Sequence, residues 1–218
     1  KVLENSFRAM NIAFIEEWTS FAEAAGVDLF EVVNAIRMRP THKNIMRPGL
    51  GVGGYCLTKD PLLASWASQE LFSSSPLHQS EKAVTINDKM PLHTFERIKG
   101  HFGGMLRGKR LLILGVSYLQ NVGDTRYTPV ELLYDKLVSE NVYMALHDPF
   151  VPYWEEKGIK IENDSLEGDY DAIVIGTPHD AYLKGGILET LLAASENVNV
   201  FDPHGSIPKE LEEFSIVG

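Results

Sequence analysis

The stretch Arg110-Leu-Leu-Ile-Leu-Gly115 is an uninterrupted apolar run that ends at a glycine, and Asp171-Ala-Ile-Val-Ile-Gly176 repeats the pattern further along the chain. Continuous apolar runs of this length are typical of strands buried on both faces, as in parallel sheets. Similar patterns predict further strands over Val142–His147, Ile159–Ile161 and Val198–Phe201, and a helix over Pro129–Ser139. Strands that alternate with helices predict a doubly wound, mainly parallel, Rossmann-like sheet.

Ligands bind such sheets beyond the carboxyl ends of the strands. In this chain that rule points to three segments, Gly115–Arg126, Thr177–Asp180 and Asp202–Gly205. Before the sheet, residues 1–103 show helical spacing of apolar side chains, so the chain as a whole is predicted to be an α/β protein with an all-helical first segment. A long amphipathic first helix often packs against a second copy, and we therefore expect a homodimer formed through the helical segment.

Capping signals predict where the helices of the first segment begin and end. Gly26 is the predicted C-cap of the first helix, and Asp28 is the predicted N-cap of a second helix that runs to about Met38. Asp60 followed by Pro61 predicts the start of a third helix. The last predicted element is one long helix from Gln79 to about Phe102, adjusted at Pro91.

The only cysteine, Cys56, follows the glycine-rich stretch Gly49-Leu-Gly-Val-Gly-Gly-Tyr. Glycines let a backbone approach a ligand without side-chain obstruction. A cysteine near a helix start and near a cation, here Lys59, is in an environment that favours the reactive thiolate. Cys56 is therefore a candidate nucleophile, although a lone cysteine is more often a small buried apolar residue. The glycines also fit the dinucleotide pattern G-x-G-x-x-G, but no apolar strand precedes them, which argues against that assignment.

Composition narrows the class of protein. A net charge of −10 argues against a general nucleic-acid-binding protein, and 44% apolar with 23% charged residues is ordinary for a globular chain. One cysteine excludes an intramolecular disulfide and fits a reducing compartment such as the cytoplasm. No apolar run approaches the ~20 residues that span a bilayer, so no membrane partner is expected, and no metal site is predicted. The chain opens at Lys1 in mid-helix pattern without a methionine, so we expect a piece of a longer protein.

Four motifs occur in order along the chain: K-x-x-x-N-x-F at residues 1–7, G-x-G-G-x-C-x-x-K-D at 51–60, Asn87-Asp-x-Met-Pro91, and L-G-x-x-Y…G-D-T-R at 114–126. With these motifs the chain resembles the UDP-glucose/GDP-mannose dehydrogenase family of nucleotide-sugar dehydrogenases over nearly its whole length. The resemblance implies a helical central dimerisation domain over 1–103 and a UDP-sugar-binding domain over 104–218. Family members begin with an NAD-binding Rossmann domain, and no segment here supplies its fingerprint.

By this resemblance the complete enzyme oxidises the sugar C6 alcohol to a carboxylate in two hydride transfers to NAD, a reaction of polysaccharide biosynthesis. Cys56 would trap the intermediate aldehyde as a thiohemiacetal, which is oxidised to a thioester and hydrolysed. Lys1 and Asn5 match positions that stabilise the developing oxyanion, and Asp60 matches the carboxylate associated with the hydrolytic water. Because the NAD site would lie mostly in the missing domain, this chain alone is predicted to be inactive.

The resemblance also implies binding residues. Cofactor contacts are implied for Lys59 and Arg126. Substrate contacts are implied for Arg47 at the nucleotide phosphates and for Gly51, Gly53, Gly54, Tyr55, Tyr118 and His204. Two departures from the family pattern bear on the sugar pocket. Many members have a lysine where this chain reads Leu119-Gln120-Asn121, and a D-G-R or D-x-R motif where it reads Asp202-Pro-His204-Gly205. His204 could replace the arginine as a ligand contact, or it could be a turn residue.

Two other functions fit the sequence. The chain could be a non-catalytic nucleotide-sugar-binding or assembly module, or the tail of a 6-phosphogluconate- or hydroxyacid-type dehydrogenase, which shares a long helical dimer domain but needs no nucleophilic cysteine. Individual residues also have simpler roles: Asp60 could be only a helix cap, Lys1 a solvated side chain, and Asp124-Thr-Arg126 a loop-to-helix cap. The base, uridine or guanosine, and the sugar are left open.

Overall fold

Residues Lys1–Met90 are one of two units in the computed structural model, which describes residues 1–161, 163–194, 198–208, 211 and 216–217. The helices of this unit are α1 (Val2–Ala25), α2 (Leu29–Arg37), a 3-10 helix (Pro40–His42), α3 (Tyr55–Glu70) and α4 (His78–Asn87). Helices α1, α3 and α4 pack on one another. Small side chains of α1 make this close packing possible, since Ala9 and Ala13 are buried against Ala83 of α4.

The predicted end of α1 and the predicted start of α2 are confirmed. Gly26 adopts the left-handed conformation at φ 66°, and its N–H bonds to carbonyls at the end of α1. The Asp28 side chain accepts hydrogen bonds from the N–H groups of Phe30 and Glu31, at 2.8 and 3.2 Å, and so caps α2. Local capping chemistry thus sets both boundaries.

The predicted start of the third helix at Asp60-Pro61 is wrong. Helix α3 begins at Tyr55, after Gly54 at φ 78°, so Pro61 lies inside the helix and Asp60 is not its cap. An interior proline removes one helical hydrogen bond and costs about 3 kcal/mol. Both Asp60 and Pro61 are buried in the unit, so tertiary packing outweighs this local preference.

The single long helix predicted over 79–102 is also wrong, because the chain forms two helices, α4 and α5 (Met90–His101). The N–H of Asp88 still bonds to Val84 O, but that of Lys89 bonds only three residues back, to Ile86 O. Pro91 is the second residue of α5, where its missing N–H has no helical partner to lose.

The second unit, Pro91–Gly218, contains α5 and a parallel sheet. Its helices and strands are β1 (Arg110–Leu114), α6 (Val130–Ser139), β2 (Tyr143–His147), β3 (Tyr153–Trp154), β4 (Ile159–Lys160), a 3-10 helix (Asn163–Glu167), β5 (Ala172–Ile175), α7 (Asp180–Leu183), α8 (Ile187–Ala194), β6 (Asn199–Phe201) and β7 (Ile216–Val217). Helix α5 joins this unit through a 2.7 Å ion pair between Lys99 and Glu140 and through ring contact of His101 with Phe201.

The main sheet has five strands in the order β2-β1-β5-β6-β7, and every pair in it is parallel. The predicted α/β class with a parallel sheet is therefore confirmed. Strands β1 and β5 lie at the centre with Leu111 opposite Ala172 and Leu114 opposite Ile175, and all of their apolar residues are buried. The carboxyl ends of the strands share one edge of the sheet, which brings together the loops after β1, β2, β5 and β6.

Within the described residues, no helix has the length and apolar character needed to cross a membrane.

Candidate functional site

In the first unit the glycine-rich stretch leads directly into α3. Gly54 precedes the helix with φ 78° and ψ 170°, a conformation that favours glycine, and Tyr55 and Cys56 are its first two residues. The side chain of Cys56 is exposed, so the free thiol is open to a ligand. The first turn of a helix also presents N–H groups without helical partners, which favour a nearby negative charge.

The structure brings three of the predicted catalytic residues into contact. The side-chain amide of Asn5 donates a 2.8 Å hydrogen bond to Oδ2 of Asp60, and both residues are buried. Nζ of Lys1 lies 3.8 Å from the same carboxylate oxygen. Asp60 follows Cys56 by four residues in α3, so the carboxylate and the thiol project from neighbouring positions on one helix face. Helices α1 and α3 together therefore present an amide, an ammonium group, a carboxylate and a thiol.

The remaining predicted site residues of the first unit are the proposed binding residues, and each has its own surroundings. Lys59 lies over the ring of Tyr55, with Nζ 4.0 Å from the ring centroid. Arg47 is exposed and donates a 2.7 Å hydrogen bond to Oδ1 of Asn34 in α2. The predicted glycines Gly51 and Gly53 are half-buried, and Gly54 is buried at the helix entrance.

In the second unit, Tyr118 and Arg126 lie in the loop between β1 and α6. The backbone N–H of Tyr118 bonds to the carbonyl of Asp124, which closes the loop on itself. The exposed guanidinium of Arg126 contacts the Asp124 carboxylate at 2.6 Å, and this hydrogen bond is the main reason that the pKa of Asp124 lies below its usual range. Arg126 thus holds the loop while most of its side chain remains accessible.

Beneath that loop lies a buried carboxylate, Asp148, directly after β2. Its Oδ2 accepts hydrogen bonds from the N–H groups of Val116 and Ser117 at 2.8 and 3.1 Å, and Oδ1 accepts one from Phe150 at 2.8 Å. Burial by itself would raise the pKa of Asp148, but these bonds and one from His179 outweigh it and lower the pKa below its usual value. Asp148 therefore remains charged and fixes the start of the β1–α6 loop.

His204 lies in the loop after β6. Its Nε2 is 3.1 Å from the carbonyl of Gly176, which can only accept, so Nε2 carries the proton. Burial lowers the pKa of His204, which favours the neutral ring. Its backbone N–H bonds to Asp202. His204 thus links the loops after β5 and β6, which is the contact of a turn residue.

The sequence analysis placed Ser117 and His179 within the loop segments of this edge without naming them as candidate residues, and it missed Asp148. Their position was the available signal, because each follows the end of an apolar strand within a few residues. Within the described residues no group of three or more His, Cys, Asp or Glu side chains has the arrangement of a metal site.

Comparison with protein families gives two matches. Residues 1–89 match the model described as "UDP-glucose/GDP-mannose dehydrogenase family, central domain". Residues 112–209 match the model described as "UDP-glucose/GDP-mannose dehydrogenase family, UDP binding domain". The two matches cover the helical segment and the sheet, respectively.

Individual proteins similar to this chain are also named as nucleotide-sugar dehydrogenases. A UDP-N-acetyl-D-mannosamine dehydrogenase from Methanocaldococcus jannaschii is 31% identical over 98% of this chain, which covers 48% of that protein. The crystal structure of an NDP-N-acetyl-D-galactosaminuronic acid dehydrogenase from Methanosarcina mazei Go1 is 26% identical with a TM-score of 0.85, over 100% of this chain and 48% of that one. The structure of a UDP-D-ManNAc dehydrogenase from Pyrococcus horikoshii is 26% identical in sequence with a TM-score of 0.82, and the match covers 100% of this chain and 50% of that one. The chain spans about half the length of these relatives.

Proposed function

Because the chain belongs to the UDP-glucose/GDP-mannose dehydrogenase family, we propose that it is the part of an NAD-dependent nucleotide-sugar 6-dehydrogenase that contains the nucleophile and the nucleotide-sugar-binding domain. The reaction is oxidation of the sugar C6 alcohol to a carboxylate. The observation that supports this most is the contact of Asn5 and Lys1 with Asp60, one helical turn from the exposed Cys56.

These four residues have the groups that aldehyde trapping requires. The Cys56 sulfur adds to the carbonyl carbon of the C6 aldehyde, and the carbonyl electrons move to oxygen, giving a thiohemiacetal. An amide donor and an ammonium group stabilise the negative charge that develops on this oxygen. Asn5 and Lys1 fill these roles, and the hydrogen bond to Asp60 fixes the orientation of the Asn5 amide.

Hydrolysis of the later thioester needs a base for the attacking water. Asp60 is a carboxylate that accepts a hydrogen bond from Asn5 and faces Lys1. This carboxylate can accept a proton from water as that water attacks the carbonyl carbon of the thioester and the Cys56 sulfur leaves.

NAD supplies the hydride acceptor for the two oxidations. The described residues do not fit its whole site, since β1 and β5 each run into one glycine, Gly115 and Gly176, and neither sequence continues as G-x-G-x-x-G. Lys59 and Arg126 are proposed as contributors to cofactor binding. We expect the chain alone to give no turnover, because the hydride transfers need groups that it does not provide.

The nucleotide-sugar would bind through the second unit, at the edge formed by the β1–α6 loop with Tyr118 and by the turn with His204. In the first unit, Arg47, Tyr55 and the glycines before Cys56 are proposed substrate contacts. The names of the relatives make UDP-N-acetyl-D-mannosamine the first nucleotide sugar to test.

A homodimer through α1 is part of this proposal. Exposed apolar side chains recur along one side of α1 at helical spacing: Leu3, Phe7, Phe14, Trp18 and Phe21. Trp18 contacts Phe14 and Phe21, with ring centroids 6.1 and 5.3 Å apart, so the stripe is continuous at this end. Sedimentation should give a dimer for the chain and a monomer for Trp18→Glu, while Ser20→Glu, at an exposed position of α1 outside the stripe, should remain dimeric.

The enzymatic proposal is tested in a protein that joins these residues to a family NAD-binding domain. Incubation with NAD and UDP-N-acetyl-D-mannosamine or UDP-glucose should produce NADH and a uronic acid product seen by mass spectrometry. Cys56→Ala should lower turnover on the order of 1000-fold or more while nucleotide-sugar binding is kept. Ser68→Ala, at the far end of α3, is the matched control. Unchanged turnover in Cys56→Ala would refute the nucleophile.

The non-catalytic binding module predicts a different result. Such a module binds the nucleotide sugar, yet the joined protein yields no NADH whichever residue occupies position 56. The dehydrogenase assignment is preferred because the buried contact between Asn5 and Asp60 lies one helical turn from Cys56, whereas a module that only binds sugar nucleotides has no need for such a polar pair there.

A further inference from the structure

Two loops at the carboxyl edge of the sheet are joined by a buried histidine. His179, between β5 and α7, has no exposed surface, and its Nδ1 accepts a 2.8 Å hydrogen bond from the backbone N–H of Asn121 in the β1–α6 loop. An accepting Nδ1 has no proton, so Nε2 carries it. Nε2 lies 3.2 Å from both Oδ2 of Asp148 and Oγ of Ser117. The ring therefore connects the loop to the charged carboxylate after β2.

This arrangement is not that of a Ser-His-Asp catalytic triad. In a triad the serine and the carboxylate use opposite ring nitrogens, so that the ring can pass a proton between its two sides. Here Ser117 and Asp148 share Nε2, and Nδ1 is occupied by the Asn121 backbone. His179 is fixed in one tautomer and cannot act as a base toward Ser117, which leaves a positioning role.

The side chain of Asn121 makes a second connection between the β1–α6 loop and the segment after β5. It adopts a left-handed conformation at φ 59°, which is uncommon outside glycine but tolerated by asparagine. Its Oδ1 accepts a 3.0 Å hydrogen bond from the N–H of Asp180, and its Nδ2 donates one of 3.1 Å to the Asp180 carboxylate. Gln120 donates to Oδ1 of Asp180 at 3.0 Å. We call Asn121, Asp148, His179 and Asp180 the loop clip.

The side chains of Gln120 and Asn121 both bond to Asp180. Two consecutive residues of the β1–α6 loop therefore bond within the protein, and the loop backbone and Tyr118 are left to contact a ligand.

We propose that His179 and Asn121 are positioning residues that hold the β1–α6 loop in its ligand-binding conformation, so that a nucleoside diphosphate is bound by a preformed loop. This inference rests on the proposed function of the second unit. A loop already ordered before binding does not lose conformational entropy when the ligand binds, and disconnecting it lowers affinity. The clip acts through the loop and touches no reacting atom.

The test uses the chain with UDP as the probe and titration calorimetry as the readout. His179→Leu removes all three polar contacts of the ring and should weaken UDP binding by about tenfold or more. The amide of glutamine can accept from Asn121 and donate to Asp148, so His179→Gln should restore affinity to within about threefold. Leu191→Ala, a buried residue of α8 outside the loops, controls for lost stability and should bind UDP as the unchanged chain does.

A second variant covers the case in which His179→Leu does not fold. Asn121→Gly keeps the backbone N–H and suits φ 59°, but it removes both side-chain bonds to Asp180, and it should weaken UDP binding several-fold. Hydrogen exchange of the Asn121 amide, measured without ligand, should be slow in the unchanged chain and in His179→Gln.

The outcomes separate the two proposals. If the unchanged chain does not bind UDP, the nucleotide-binding function is wrong and the role of the clip in ligand binding is overturned with it. If the unchanged chain binds UDP and the folded disrupting variants, His179→Leu and Asn121→Gly, bind it equally well, the inference about the clip is overturned and the proposed function stands. Failure of His179→Gln to restore affinity while Leu191→Ala binds normally would overturn the hydrogen-bonding explanation.

Discussion

The side-chain amide of Asn5, on α1, donates a hydrogen bond to the carboxylate of Asp60, on α3, over 2.8 Å and 55 positions of sequence. An asparagine within a helix is unfavourable when considered alone. An acid next to a proline, considered alone, is only a local signal for a helix start. The hydrogen bond between the two side chains provides each buried polar group with a partner. It also fixes the position of α1 relative to the helix that begins with Tyr55 and Cys56.

Replacing Asn5 by alanine should destabilise the chain. Asp60 would then lose its hydrogen-bond donor while Lys1 stays 3.8 Å away, and a buried acceptor that loses its donor costs about 1–3 kcal/mol. Urea denaturation monitored by circular dichroism measures the loss. Asn44→Ala, at an exposed position of the loop before the glycine-rich stretch, should change the free energy of unfolding by no more than about 0.5 kcal/mol. Equal effects of the two substitutions would contradict the contact.

The thiol of Cys56 should react in the folded protein. The residue is exposed and is the only cysteine of the chain, so a disulfide reagent should titrate one thiol per chain without denaturant. The same count in denaturant is the control. If the thiol reacts only after unfolding, the side chain is buried in solution and its assignment as an accessible nucleophile is wrong.

Gly115 and Gly104 are a matched pair of substitution sites that tests how closely the ends of β1 and β5 approach each other. Their φ angles are +89° and +85°, but a Cβ at Gly115 would lie 2.5 Å from Thr177 O, whereas one at Gly104 would meet nothing within 4 Å. Gly104→Ala should cost only the backbone strain, about 1–2 kcal/mol. Gly115→Ala should cost clearly more, measured as a difference in free energy of unfolding, because the clash is with backbone. Equal losses would show that the two strands separate easily.

Asp148 should make stability depend on acid pH. Its pKa is lowered in the folded state, so the unfolded chain binds the proton more tightly. The stabilisation is complete above the unfolded value of about 3.9 and is lost as the pH falls through the folded pKa. The difference in free energy of unfolding between the unchanged chain and Asp148→Asn should be steady between about pH 7 and pH 5 and shrink below about pH 4. A difference that grows in acid would contradict this assignment.

The sequence by itself determined the class of the fold and most strand positions. Runs such as Ala172–Ile175 are short, apolar throughout and followed by a glycine, which is typical of a strand buried on both faces, so the pattern is local. The caps at Gly26 and Asp28 were equally predictable, because a cap bonds to residues within a few positions of itself. The motifs also singled out Cys56, Lys1, Asn5 and Asp60 as candidates.

Only the tertiary structure decided where α3 begins and what several polar residues contact. Local propensity favours a helix start at Asp60-Pro61, and burial against other helices overrides it, moving the start to Tyr55. The bonds of Asp60 to Asn5 and of His179 to Asn121 join residues 55 and 58 positions apart. Hydrogen bonds over such separations depend on how helices and strands pack, and no spacing within a single element encodes that packing.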